Sequence, residues 1–218
     1  MIGGIREKIM LGPASSPSSG ETDMTLSYGG RTITVPVRVD GSGRLSPETH
    51  RLSSNIVPIL KACAAGLRIT MIMAADESWG IGRSGGLPWR CPEDLRHFRR
   101  RTMGGRLLMG RTTFAGLPVR LDGRTIHVLS SASGDGFATV DGALAALAGT
   151  SHEEIIVAGG GRLYAAALPY CTHAEVTRMK GSHGCDTFAP DLAAAGWKIE
   201  RRANLSDNIE IEYWESRT

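Results

Sequence analysis

The sequence predicts an α/β protein: a mixed, mostly parallel sheet with flanking helices, an antiparallel hairpin at its C-terminal end, and a small N-terminal extension of β-hairpin and helix. Three observations carry this prediction. Short apolar, partly β-branched runs at 69–75, 106–109, 125–129, 154–158 and 174–179 read as buried strands. Helical stretches at 92–102, 142–148 and 162–168 fall between them, and such alternation implies crossover helices over a parallel sheet. Finally, the runs 197–203 and 209–214 flank Asn204-Leu-Ser-Asp-Asn208, the pattern of an antiparallel hairpin.

Residues 13–23, PASSPSSGETD, have too little apolar surface to order themselves, so 1–23 is expected to be a disordered leader. Residues 24–68 read as a small accessory extension. Leu26 to Tyr28 precedes Gly29-Gly30, and Ile33, Val35, Val37 and Val39 then alternate with polar residues, which signals a hairpin. Pro36 confines its second strand to an edge. A turn is expected at 40–43. Ser46-Pro47-Glu48 marks a helix start, and 55–65 reads as a second short helix stopped by Gly66. Residues 69–218 then form the main domain.

The formal charge of +3 is unevenly placed: residues 1–68 hold eight Lys/Arg against five Asp/Glu, and the remainder is balanced at 17 each. Residues 69–218 therefore lack the basic footprint of a nucleic-acid binder, and no nucleic-acid partner is expected. No apolar run approaches the roughly 18 residues of a bilayer span, so no membrane partner is expected either. Residues 1–11 carry Arg6, Glu7 and Lys8 and lack the apolar core of a secretory signal, which points to the cytoplasm. Cys63, Cys91, Cys171 and Cys185 have neither redox nor zinc spacing, and the six histidines form no ligand pair, so no metal site is expected. A monomer is expected, with the extension available for self-association.

The chemistry concentrates between residues 69 and 111. A buried strand runs into a loop, 76–87, rich in glycine, which Pro88-Trp89 ends before Pro92 opens a helix. On that helix Asp94, Leu95 and Phe98 share a face. A carboxylate there either satisfies a structural network or meets a polar group arriving from outside. Arg99-Arg100-Arg101 reads as a solvated basic face, or as a source of positive potential for a polyanionic ligand. Gly159-Gly160-Gly161 follows a strand and opens a helix, which suits either a tight turn or backbone N–H groups receiving a phosphate.

In order, Leu-Pro-Trp at 87–89, Pro-x-Asp-Leu-x-x-Phe at 92–98, Met-Gly-Arg-x-Thr-Phe at 109–114, Leu-Asp-Gly-Arg at 121–124, Leu-Ser-Ser at 129–131, Val-Ala-Gly-Gly-Gly-Arg-Leu-Tyr at 157–164, Val-Thr at 176–177 and Cys-Asp-Thr-Phe-Ala-Pro at 185–190 resemble the dihydrofolate reductase family. The resemblance implies that family's mixed sheet and hydride transfer from NADPH to C6 of dihydrofolate, with protonation at N5. It implies that Asp94 grips the pterin edge with Thr177 in the same network, through water. Ile72, Leu95, Phe98 and Leu117 line the substrate, Arg124 clamps the tail carboxylate, and Trp89 caps the pocket. The loop ending at Leu87 closes over the nicotinamide. For NADPH it implies Arg111 at the 2′-phosphate, Thr112, Thr113, Ser130 and Ser131 at phosphates, Gly159, Gly160 and Gly161 at the pyrophosphate, and further contacts from Ala74, Ile81, Gly82, Gly86, Arg162, Leu163 and Tyr164. Dihydrofolate and antifolates are the implied small-molecule partners. Thr112 stands where relatives often carry a basic residue or histidine, Ala158 where they carry a larger aliphatic one, and Asp122 where they carry proline.

Two other readings compete. One is a riboflavin-pathway reductase sharing fold and cofactor, against which Pro88-Trp89, Asp94 and Arg124 argue together. The other is a non-catalytic NADPH-binding protein acting through its extension, against which intact Asp94, Trp89 and Thr177 argue.

Overall fold

Alternating apolar residues and a glycine pair build the first sheet. The computed structural model describes residues 8–11, 21–39, 46–130, 136–150, 153–206 and 209–216. Strands β1 (Lys8–Leu11), β2 (Glu21–Tyr28) and β3 (Arg31–Arg38) pair antiparallel in the order β1-β2-β3. Gly29 and Gly30 turn the β2–β3 hairpin with φ of 59° and 80°, conformations costly for residues with a Cβ. Pro36 lies on the edge strand, as the sequence predicts. The expected leader is corrected here: residues 8–11 and 21–23 pair in strands, because Met24 and Leu26 continue a two-residue alternation that begins at the buried Thr22.

The two expected short helices are also corrected. One helix, α1 (Pro47–Ala64), runs 18 residues from an N-cap in which Ser46 Oγ accepts from the Thr49 N–H at 3.2 Å. Pro58 lies inside it on the exposed side, while Ile56, Ile59 and Leu60 are buried on the other. Each fully buried aliphatic of this kind contributes about 1.5–3 kcal/mol, enough to outweigh an interrupted turn.

The chain divides into two compact units. One contains the residues up to Leu67 together with Asp141–Glu153, so it includes most of α4 (Val140–Ala148), whose Asp141 accepts a 2.6 Å hydrogen bond from Asn55. The other, Arg68–Val140 with Glu154–Arg217, holds a seven-stranded sheet.

Its strands are β4 (Arg68–Asp76), β6 (Arg106–Gly110), β7 (Thr125–Leu129), β8 (Glu154–Val157), β9 (His173–Met179), β11 (Lys198–Ser206) and β12 (Ile209–Glu215), in the order β11-β12-β9-β4-β8-β6-β7. A separate two-stranded ribbon joins β5 (Gly80–Gly82) to β10 (Thr187–Phe188). The five strands β7, β6, β8, β4 and β9 run parallel, and β11 and β12 add the antiparallel hairpin. Ile69, Met71, Leu107, Met109, Ile155 and Val157 are fully buried, as central parallel strands require. Helices α2 (Pro92–Thr102), α3 (Arg111–Ala115) and α5 (Gly161–Ala167) belong to this unit. Residues 40–43, Ser131 and the hairpin tip at 207–208 lie outside the described residues.

Candidate active site

The sheet brings three predicted residues, Ile72, Ala74 and Thr177, onto one side together with Glu175. In the parallel register, Ile72 of β4 pairs with Glu175 of β9, and Ala74 with Thr177, so these side chains point the same way. Helix α2 lies over them. Its N-terminus is capped by the Cys91 sulfur, which accepts from the Asp94 N–H at 3.3 Å, with Pro92 in the first turn. Asp94 is buried, and its carboxyl is held above the usual carboxylate range: burial pushes it up, while a hydrogen bond with the Thr177 side chain and the charge of His97 pull it partly back.

Phe98 and Leu117 are partly buried and pack on a cluster of Ile72, Leu107, Met109, Ile156 and Ala158. Leu95 does not join them: it exposes 54% of its surface, as does Leu87. Burial thus separates Leu95 from Asp94 and Phe98, because i+1 lies about 100° away around a helix. An open apolar stripe of this kind beside a buried carboxylate suits a flat, polar-edged ligand.

At the other end of α2, Arg124 donates from Nη1 to Thr102 Oγ1 at 3.4 Å and from Nε to the Asp122 carbonyl at 3.2 Å. Burial and neighbouring Arg99 hold its pKa below the ordinary value. Asp94 and Thr102 are eight positions apart, about 12 Å along the axis, so the stripe has a carboxylate at one end and a guanidinium at the other.

The loop after β4 is anchored at its base. Asp76 Oδ1 accepts from the Ser78 and Gly80 N–H groups at 3.0 and 2.8 Å, and its Oδ2 accepts from the His183 N–H at 3.1 Å. Burial opposes the charge of Asp76, but these bonds and one from the Cys185 thiol hold its carboxyl below the usual range. Trp79 is buried under the Arg178 guanidinium, 3.8 Å from its ring centroid. Nearer the tip, Asp186 Oδ2 accepts from the Ser84 N–H at 2.7 Å. The glycine-rich loop is thus tied at Asp76, Trp79 and Ser84, with Ile81 and Gly82 in its short strand and Gly86 and Leu87 exposed at its end. Trp89 meets the His183 ring edge-on at 5.0 Å, and its Nε1 is buried without a hydrogen-bond partner among the described residues.

A second group gathers where strands end. The Gly110 N–H donates to the Gly159 carbonyl at 2.8 Å, joining the ends of β6 and β8. Arg111 Nε donates to Ser130 Oγ at 2.8 Å, joining those of β6 and β7. Gly159 has a φ of 104°, and a Cβ on Gly160 would come 3.0 Å from Thr113 Oγ1. Arg111, Thr112 and Arg162 are exposed here, whereas Leu163 and Tyr164 are buried. The Tyr164 hydroxyl donates to the Ile72 carbonyl at 2.6 Å, so that side chain serves the core.

A family model for dihydrofolate reductase matches residues 68–215. The chain belongs to the dihydrofolate reductase family. It is 36% identical over 143 residues to the dihydrofolate reductase of Neisseria meningitidis, covering 62% of this chain and 87% of that one. It is 46% identical over 119 residues to that of Mycobacterium tuberculosis, covering 51% and 71%. Among solved structures it resembles the dihydrofolate reductase from Enterococcus faecalis complexed with NADP(H) and RAB-propyl, with a TM-score of 0.61, 26% identity and coverage of 69% of this chain and 97% of that one.

Against this dihydrofolate reductase framework, two readings of the sequence change. Arg101 does not belong to a uniformly solvated basic face: it lies seven residues after Asp94, on the inward stripe, and pairs with Glu154 and Glu175. Asp76 and Asp186, the anchors of the loop, carry no signal in the sequence beyond being carboxylates near glycines. His97 and Glu175 were legible only as a helix position and a strand position, since their meeting depends on how the two elements pack. A cavity of about 540 Å³ is lined by Arg101, Glu154, His173 and Glu175 but by none of the predicted site residues.

Proposed function

We propose that this dihydrofolate reductase reduces dihydrofolate to tetrahydrofolate with NADPH through the residues gathered on α2, β4 and β9. The observation that carries this reading is the buried Asp94 beside Thr177 at the head of an open apolar stripe. Asp94 and Thr177 hold the polar edge of the pterin, and the Asp94 carboxyl, raised by burial, is poised to change protonation as the ring does. Ile72 takes an apolar face of the pterin, Phe98 and Leu117 sandwich the aminobenzoyl ring, and Leu95 lies at the open rim. Arg124 receives the tail carboxylate as a planar, two-pronged donor. Asp94 binds the ring edge far from N5, so water near Trp89 carries the final proton rather than Asp94 itself.

The strand ends fit NADPH. A Cβ on Gly161 would come 2.5 Å from the Phe188 carbonyl, so the close approach of β10 already requires glycine there. In this reading Arg111, Thr112, Thr113, Ser130 and Ser131 hold phosphates, the three glycines approach the pyrophosphate, and Arg162 adds charge. Ala74, Ile81, Gly82 and Gly86 flank the nicotinamide end, with Leu163 and Tyr164 supporting it from the core. Bound NADPH supplies the hydride received at C6. Leu87 and Trp89 keep water from the reacting faces.

Residues 69–218 carry the activity in this reading, and 24–68 act as an accessory extension. We place the protein in the cytoplasm as a monomer: all four cysteines are free, and no helix among the described residues is long and apolar enough to cross a membrane. Antifolates that imitate the pterin edge should compete at Asp94. The test is loss of NADPH absorbance by the purified chain with dihydrofolate and, separately, with the riboflavin-pathway pyrimidine. Turnover of the pyrimidine alone would overturn the assignment.

A further inference from the structure

Trp89 caps the pocket in the proposed function, yet the backbone around it does little to hold it. From Gly80 to Ser84 the loop is laced to residues 185–188. The Asp186 N–H donates to the Gly82 carbonyl at 3.0 Å, and the Ser84 N–H donates to Asp186 Oδ2 at 2.7 Å. Gly80 lies so near Cys185 that a Cβ there would come 2.5 Å from its sulfur. This lacing ends at Ser84. Arg83 and Gly86 then exchange two backbone hydrogen bonds, of 2.9 and 3.0 Å, in a tight turn whose residues are exposed as far as Leu87. Trp89 itself makes no hydrogen bond among the described residues.

The group that meets the indole is His183. The two ring centroids lie 5.0 Å apart with planes at 79°, the perpendicular arrangement that the charge distribution of aromatic rings favours. The backbone that carries this imidazole is fixed. The His183 N–H donates to Asp76 Oδ2 at 3.1 Å, and the Cys185 thiol bonds the same oxygen at 3.6 Å. Asp76 is 1% exposed, ends β4, and binds the Ser78 and Gly80 N–H groups through its other oxygen. The Glu77 N–H adds a bond to the Gly181 carbonyl at 3.4 Å. His183 Nδ1 stands 4.0 Å from Asp76 Oδ2, beyond hydrogen-bond reach, so the ring packs on the indole while the main chain holds the carboxylate.

We propose that His183 is a positioning residue for Trp89: its ring, carried on a backbone bolted to Asp76, holds the indole over the pocket in the geometry that hydride transfer needs. This rests on Trp89 capping the pterin pocket. Residues 181–187 then hold the loop twice, at Gly80–Ser84 through hydrogen bonds and at Trp89 through a side chain. A contact between ring edge and ring face depends on having a ring there, so phenylalanine should replace histidine and alanine should not. The contact bears on the cap and lies apart from the glycines and Arg111 assigned to the phosphates. Its loss should therefore slow the hydride step, which depends on fine orientation, and leave NADPH binding alone.

The experiment compares the full chain with His183→Ala and His183→Phe, by NMR and by single-turnover reduction of dihydrofolate with NADPH and its deuterated form. In the wild type the His183 ring protons should be shifted by the Trp89 ring current and show cross-peaks to the indole. In His183→Ala the Trp89 indole N–H resonance should move or broaden, and the hydride step should slow about threefold to tenfold, the factor that an edge-to-face pair of ordinary strength supplies. The Kd for NADPH should be unchanged. His183→Phe should restore both the resonance and the rate. A His183→Ala protein that loses stability but transfers hydride at the parent rate overturns the proposal, because the histidine is then only structural. A folded His183→Phe that restores neither reading overturns it too, since the ring nitrogens would be what matters. Wild-type His183 protons free of any Trp89 ring-current shift overturn it even if neither variant folds. If the NMR coupling holds while dihydrofolate is not reduced, the assigned reaction fails and the ring contact stands.

Discussion

Asp94 and Thr177 face each other from the inside of a helix and a strand, whereas Arg111, Ser130 and Gly159–Gly161 sit where β6, β7 and β8 end. In the proposed function the first group works through side chains made selective by burial, and the second through glycine backbone, buried at Gly159, and the exposed Arg111 guanidinium. A substitution in the first should therefore alter chemistry, and one in the second should alter cofactor preference.

The largest expected effect breaks the first half. Asp94→Asn keeps the shape and removes the charge, and kcat/KM at neutral pH should fall at least about a hundredfold, or roughly 2.7 kcal/mol of transition-state stabilisation. NADPH binding, followed by fluorescence, should persist. A folded variant turning over within a few fold of the parent would return Asp94 to a structural role.

Asp76→Ala probes the loop base. It strands the N–H groups of Ser78, Gly80 and His183, and should lower stability by about 1–3 kcal/mol, read as a fall in Tm. An unchanged Tm would mean that water replaces the carboxylate at no cost. The same anchor predicts a pH dependence shared with Glu154 and Glu175. All three carboxyls are depressed below their ordinary values of 3.8 and 4.5. Their contribution is fully present above about pH 4.5 and is lost as pH falls through the folded values. Chemical denaturation from pH 7 to 3 should show stability falling at the acid end, less steeply in Asp76→Ala.

Arg111→Ala tests the other half. A charge-assisted contact is worth roughly 1.5–3 kcal/mol, so the ratio of NADPH to NADH efficiencies should drop at least about tenfold with kcat on NADPH little changed. In the proposed function Arg111 supplies the cation at the 2′-phosphate, with Thr112 beside it in place of a basic residue. An unchanged ratio would remove it from the phosphate site.

The smallest effect lies in the extension. Deleting residues 1–11 removes β1 from its ladder with β2, which should cost about 1 kcal/mol and leave kcat/KM unaltered. Deleting through residue 23 should cost more, because β2 already begins at Glu21. Equal stability of the two truncations would show that residues 21–23 contribute nothing.

The sequence by itself determined the alternation of strands and helices, the Gly29-Gly30 hairpin, the helix starts at Ser46 and Pro92, and the apolar stripe that singles out Asp94 and Phe98. These are local: they follow from periods of 2 and 3.6 residues, from proline and glycine, and from caps. Tertiary structure decided what depends on two elements meeting. Lys8–Leu11 becomes a strand only because β2 offers an edge, and α1 runs through Pro58 because its buried face outweighs a broken turn. Arg101 leaves its basic run because β8 and β9 bring two carboxylates beneath it. His97 acquires a partner because the register of β4 on β9 sets Glu175, rather than Val176, toward the helix. A one-residue slip of that register would turn Glu175 and Thr177 to the opposite face of the sheet, and no local pattern in either segment records which pairing is chosen.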